Sequence, residues 1–297
     1  MAIKKTKIIF IGLILLLTLT WAAIWQLPDN RLHLVFCNVG QGDAILVIHG
    51  SNQVLIDGGP TGGEVLACLS DNLPFWDRQL EMVVLTHPDA DHLTGLIDVI
   101  ERYSVSQFVV NSLAKDTAGF WQFREAVLAE GTPVFSPQAG ETIKFGDARF
   151  QVLWPQQRYG ESLVWQPEIS QEKVLGAAVG PQKEINDTSI VLKLTFGHFD
   201  VLLPGDISTK IETQLSLEKI EVLKVAHHGS KFSTDEAFLA KVKPELAVIS
   251  VGHNRFGHPT QEVLDRLTAV GAKILRTDQA GEIEIVSDGK SWYTKPR

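Results

Sequence analysis

The first pattern along the chain is a block, not a period. From Ile8 to Trp25 no side chain is charged, and apolar residues fall on every face of a helix instead of forming one stripe. A run of that length reaches the lower limit for crossing a bilayer. Lys4, Lys5 and Lys7 precede it, and Trp21 and Trp25 stand at its far end, where aromatic rings favour a membrane interface. The pattern predicts a cytoplasmic N-terminus at residues 1–7, a single-pass anchor at 8–26 and an extracytoplasmic remainder. The rival reading is a signal peptide cut after Thr20 and Ala22, which would release a secreted protein. Bulky Trp21 and Trp25 and the length of the run argue for the uncleaved anchor.

After a linker at 27–31, the pattern becomes short apolar strands alternating with helical spacing. Strands are predicted at 33–39, 44–49, 53–56, 82–85, 107–110 and 133–135, with helices at 64–71, 93–103 and 120–130. A second half opens on a strand at 148–153. It continues with a hairpin, 190–195 and 199–203, around Gly197-His198. Buried strands at 222–225 and 246–251, helices at 236–242 and 261–270, and strands at 273–276 and 282–287 complete it. Residues 154–183 are rich in Gln, Pro, Gly and Glu and are long for a connection, which predicts a mobile lid or a partly ordered insertion. Two halves, each strand-rich and then helical, predict one α/β domain at 32–297, two sheets sandwiched between helices.

Composition adds bounds. The chain has 297 residues, 44% hydrophobic, which is enough for a large core, and a formal net charge of −8. That charge excludes broad electrostatic attraction to nucleic acid, although a local basic groove or a bound metal can offset it. Cys37 and Cys68 do not form a disulfide framework, and Cys37, in an apolar strand, reads as a buried inert thiol.

The chemistry concentrates in Thr86-His87-Pro88-Asp89-Ala90-Asp91-His92, directly after Met82-Val83-Val84-Leu85. Carboxylates and imidazoles gathered at a strand end repel or neutralise one another unless a cation sits among them. Helix capping explains one aspartate and leaves the histidines unexplained. Three more groups follow strands: Gly205-Asp206, His227-His228-Gly229-Ser230 and Gly257-His258-Pro259. Each alone is weak; four in order are not. By contrast His33 and His49 read as structural or surface residues, His198 as a solvated turn, and Gly40-Gln41-Gly42-Asp43 as a tight turn in which Asp43 holds the site's wall.

This ordered set resembles the metallo-β-lactamase fold and, more narrowly, the extracytoplasmic hydrolase domain of the ComEC DNA-uptake (competence) family. The resemblance is carried by Val39 to Asp43, Leu55 to Gly59, Thr86 to His92, Asn186 to Ser189, Leu203 to Asp206, Ala226 to Ser230, Ser250 to Gly252 and Gly257 to Pro259. It implies an αββα sandwich with one or two divalent cations, zinc or manganese, at its edge. His87 and Asp89 would serve the first cation. Asp91, His92 and one of His227 or His228 would serve the second, and Asp206 would bridge both. Asp57 would buttress a ligand histidine. Asp91 would orient and deprotonate a water. His258 would contact the substrate phosphate or protonate the leaving oxygen, and Asn186, Ser189, Lys224 and Ser230 would meet anionic oxygens. The family pattern has histidines where Asp89 stands and near Asn186. Their loss favours harder cations such as manganese and a weak first site. The multi-span channel that accompanies the domain in that family is not part of this sequence.

The expected function is a membrane-anchored metal-dependent hydrolase, a phosphodiesterase or nuclease acting on DNA or nucleotides, with a DNA-uptake channel as a possible partner. The alternatives are hydrolysis of another ester or a β-lactam, and a non-catalytic partner-binding module of an uptake complex.

Overall fold

The computed structural model describes residues 2–25, 28–111, 113–158, 162–178 and 185–295. An eight-stranded sheet runs in the order Trp292–Lys295, Ile283–Ser287, Leu32–Phe36, Ile45–His49, Asn52–Ile56, Met82–Leu85, Phe108–Val110, Val134–Phe135. A seven-stranded sheet runs Lys273–Arg276, Leu246–Ile249, Val222–Lys224, Phe199–Leu203, Val191–Phe196, Ala148–Trp154, Thr142–Phe145.

Strand alternation explains the layers. Ile45, Val47, Val54, Ile56, Met82 and Val84 point inward to meet Phe150, Val152, Leu192, Leu194, Val201 and Leu203 of the other sheet. Their neighbours Leu46, Leu55, Val83 and Leu85 point outward, into a core shared with the helices Gly62–Asn72, Ala90–Ile100 and Ala118–Glu130. A matching outer core lies under Glu236–Val242 and Gln261–Ala269. The α/β sandwich is therefore as expected.

Two expectations change, and a third resolves between its alternatives. The C-terminal strand Ile283–Ser287 pairs antiparallel with Leu32–Phe36, so the second half donates its end to the first sheet. Cys37 and Cys68 form a disulfide with a Cα–Cα distance of 5.8 Å, because the end of the first strand lies against the helix Gly62–Asn72. Cys37 is buried, but it is not a free thiol. In the long connection, Val164, Trp165 and Val174 are buried in the first outer core. Arg124 donates to the carbonyls of Val164, Gln166 and Ile169 at 2.5, 2.8 and 3.2 Å. The described part of this segment is a docked insertion, not a mobile lid; residues 159–161 and 179–184 lie outside the described residues.

Residues Ala2–Trp25 form one helix, and the side chains of Ile9, Phe10, Ile11 and Leu13 to Leu17 are exposed. Among the described residues no helix is long and apolar enough to cross a membrane. The side chains of residues 2–6, 8, 19 and 22–25 fall outside that description, so the expected anchor is not shown.

Candidate metal centre

All four chemistry-bearing groups sit at the C-terminal ends of strands. Asn52–Ile56 and Met82–Leu85 run parallel and deliver Asp57 and the loop 86–92. Phe199–Leu203, Val222–Lys224 and Leu246–Ile249 run parallel in the other sheet and deliver Asp206, His228 and the loop 250–258. Strand ends pointing the same way leave a crevice in which ligands bind.

Asp57 organises the first wall. It has left-handed backbone (φ 59°) and is 1% exposed. Its carboxylate accepts from the Thr86 N–H at 2.8 Å, the Thr86 hydroxyl at 2.7 Å and His92 Nδ1 at 2.8 Å. Since the Thr86 hydroxyl gives its proton to Asp57, it accepts from His87 Nδ1 at 3.1 Å. On the opposite wall His228 Nδ1 donates to the Ser250 carbonyl at 2.9 Å. Three imidazoles are thus pinned through Nδ1, which leaves each Nε2 as the ring atom available to a cation. The Nε2 atoms of His87, His92 and His228 are all buried without a hydrogen-bond partner.

They converge on Asp206. Its Oδ2 lies 3.4 Å from His92 Nε2 and 3.3 Å from His228 Nε2, and Asp91 Oδ2 lies 3.5 Å from His228 Nε2. Donors around a tetrahedral cation at about 2.1 Å sit about 3.4 Å apart. Asp91, His92 and His228 each offer a donor atom within 4.8 Å of the others, and so do His87, His92 and Asp206. These residues fit a divalent cation.

Burial opposes a charge on His228, but Asp206 and Asp43 outweigh it and raise the imidazole to about 10. Burial likewise opposes charge on Asp206, while His228, His92 and Lys224 hold it well below the usual range. The cluster demands positive charge, and a cation entering would displace protons.

The choice between the paired histidines falls on His228. Both have left-handed backbone, with φ of 51° and 53°, a conformation costing about 1–3 kcal/mol in a non-glycine residue and concentrated at functional sites. The turn sends His228 inward, 1% exposed. His227 Nε2 stays 3.9 Å from Asp206 and 3.3 Å from the Asn186 amide.

Other residues take different places. Asp89 pairs with Lys115 at 2.8 Å and joins no cluster of three donors among the described residues. The helix Ala90–Ile100 starts after Asp89 without a side-chain cap, so capping does not account for the loop. Lys224 is 1% exposed, paired with Asp43 and 3.5 Å from Asp206. It balances charge from within and cannot reach a substrate as expected. Ser189 is also buried, accepting from the Asp206 N–H at 3.2 Å and donating to the Asn186 carbonyl at 2.7 Å. The buried Ser230 hydroxyl accepts from the Phe232 N–H at 3.4 Å. His258 is half-buried with its Nδ1 unpartnered, its ring centroid 5.6 Å from that of His227.

Sequence reasoning placed Asp43 in the wall but missed its charge. It pairs with Lys224 and lies 3.7 Å from His228 Nδ1 and 3.8 Å from His92 Nδ1. Its turn meets the metal loop, where a side chain at Gly42 would drive into the Asp91 carbonyl. The signal was the Val39–Asp43 motif itself. Lys115 carried no signal, because its loop has no motif.

Comparison with known proteins agrees with this geometry. Residues 37–253 match the metallo-beta-lactamase superfamily. The chain is 30% identical over 275 residues to ComE operon protein 3 of Bacillus subtilis, covering 83% of this chain and 32% of that protein. It is 27% identical over 265 residues to competence protein ComA of Neisseria gonorrhoeae, covering 86% and 32%. The chain thus spans about a third of the length of the curated relatives it matches. Among solved structures, the metallo-beta-lactamase fold protein YhfI from Bacillus subtilis superposes with a TM-score of 0.54 at 12% identity, over 86% of this chain and 99% of that one. With a converging set of buried ligand atoms, this fold and a match over most of its length, the chain belongs to the metallo-β-lactamase superfamily.

Proposed function

We propose that the chain is a membrane-anchored, extracytoplasmic metal-dependent phosphodiesterase acting on nucleic acid or nucleotides. The observation that carries the hydrolytic reading is the meeting of three buried Nε2 atoms with two carboxylates in two adjoining triads, Asp91 with His92 and His228, and Asp206 with His87 and His92. His92, His228, Asp91 and Asp206 would hold one cation. His87, with Asp206 shared, would contribute to a second and weaker one, since Lys115 competes for Asp89. A divalent cation there supplies a water acidic enough to attack at neutral pH and positive charge for the phosphoryl oxygens.

The chain's own residues do the rest. Asp91 is the cluster's opening to solvent, its side chain 34% exposed where Asp206, His92 and His228 are at most 4% exposed. It is placed to orient the attacking water and accept its proton. Burial, with His227 and His228 nearby, lowers His258 to about 4. At neutral pH that imidazole is uncharged, suited to donate a hydrogen bond to a phosphoryl oxygen. Manganese or zinc would suit this mixed oxygen and nitrogen donor set.

Location rests on two supports. The exposed apolar side chains of Ala2–Trp25 need a non-aqueous partner. The Cys37–Cys68 disulfide fits an oxidising compartment. One curated relative is a competence protein, which favours a role in DNA uptake.

The test is to incubate the full chain with single-stranded DNA, bis-p-nitrophenyl phosphate and a chromogenic β-lactam, each with manganese or zinc. Turnover of the first two, abolished by Asp91→Ala, is expected. Turnover of the β-lactam alone would assign amide hydrolysis in place of phosphodiester hydrolysis, and no turnover of any would leave a partner-binding module.

A further inference from the structure

Among the described residues outside the N-terminal helix, the exposed large apolar side chains fall into two groups. Phe75, Trp76 and Tyr293 lie away from the cluster; Phe232 and Phe256, 67% and 63% exposed, follow or precede a site histidine closely. Each of the latter two carries its own cation. Lys231 Nζ lies 5.3 Å from the centre of the Phe232 ring, and Arg255 Cζ 5.9 Å from that of Phe256.

Both rings stand on fixed backbone. The Asn254 side chain donates to the Gly252 and His258 carbonyls at 2.9 and 2.8 Å and accepts from the Phe256 and His258 N–H groups, both at 3.1 Å. The Phe232 carbonyl accepts from the Thr209 N–H at 2.9 Å, three residues beyond Asp206. A ladder of rings links Phe256 to the cluster. Centroid distances are 6.3 Å from His228 to His227, 5.6 Å from His227 to His258, and 5.8 Å from His258 to Phe256, the last pair stacked. Phe256 joins the site through this ladder, and Phe232 through its place four residues beyond His228, on a backbone tied to Thr209.

We infer that Phe232 and Phe256 are base-stacking platforms, so that the site grips single-stranded nucleic acid, with Lys231 and Arg255 meeting the adjoining phosphates. The inference rests on the reading of the crevice as a site for nucleic-acid phosphodiesters. Stacking explains how an acidic chain of net charge −8 holds a polyanion. Unpaired bases offer their faces to aromatic rings, and affinity then depends little on a broad basic surface. Duplex bases are already stacked on one another and offer no face. With two cations engaged, log affinity should fall with log salt at a slope of about −1.4, shallow for a nucleic-acid binder.

The test measures binding by the full chain in EDTA, where no hydrolysis occurs. The probes are a fluorescent oligothymidylate of about 12 nucleotides, an abasic tetrahydrofuran oligomer of the same length, and a duplex. The oligothymidylate should bind at least about thirtyfold tighter than the abasic oligomer. Phe232→Ala and Phe256→Ala should each cut that preference about fivefold or more, and Phe256→Trp should keep it, which separates stacking from misfolding. Equal affinity for the base-bearing and abasic strands, or alanine variants that bind as the wild type does, would overturn the inference. Base-dependent binding without hydrolysis of any phosphodiester in manganese or zinc would overturn the hydrolase reading and leave the platforms standing. Hydrolysis without base preference would do the reverse.

Discussion

At the scale of single residues, the site is governed by side chains that touch no substrate. Asp57 accepts three hydrogen bonds and thereby sets the ring orientation of His92 directly and of His87 through Thr86. An asparagine there must present an NH2 group to at least one of those donors. Asp57→Asn should therefore lower metal affinity by about 10–100-fold, as loss of an orienting partner does at other metal sites. Competition against a chromophoric chelator measures it, and unchanged affinity would show that Asp57 is not an orienting group. This residue was legible in the sequence because it ends a short apolar strand in the motif Leu55 to Gly59. Its left-handed backbone and its two bonds to Thr86 were not, since Thr86 follows a different strand.

At the scale of elements, the short helix Thr209–Glu212 braces the histidine loop. Glu212 accepts from the Thr234 N–H at 2.6 Å and the Asp235 N–H at 3.3 Å, and so holds the end of the segment that carries His228 and Phe232. Burial raises its carboxyl from 4.5 to about 7, against the two N–H groups that favour its charged form. The folded chain then keeps a proton that the unfolded chain has released between those values. Its contribution to stability is fully present below pH 4.5 and declines as pH rises to about 7. Glu212→Gln should flatten the stability profile across that window, read from urea midpoints at several pH values; a profile as steep as the wild type's would exclude the effect. A four-residue helix has no periodicity to read, and for the same reason the strands Thr142–Phe145 and Trp292–Lys295 escaped the sequence pattern. The longer helices Ala118–Glu130 and Gln261–Ala269 were predicted within two residues of their observed ends.

At the scale of the whole molecule, two long-range closures hold the site's two walls together and a disulfide braces the first wall. The sheets share an apolar interface, the last strands return to the first sheet, and Cys37–Cys68 ties the first strand to the helix after Asp57. Closing a loop of 31 residues limits the unfolded chain and contributes about 3–4 kcal/mol in the chain-entropy account. Reduction, or the double substitution Cys37→Ser with Cys68→Ser, should lower the denaturation midpoint accordingly. An unchanged midpoint would mean that the thiols are not paired in the folded protein.

The sequence alone determined the alternation of strands and helices, the αββα sandwich and the identity of His87, Asp91, His92 and Asp206 as candidate ligands. Those features are local: a period of two, a turn, a motif at a strand end. Tertiary structure decided which of His227 and His228 faces the cluster, that Lys115 takes Asp89, that Lys224 is a buried counter-charge, and that two cysteines meet. Each of these depends on a partner distant in the chain, and strand pairing, not sequence spacing, sets the distance between them.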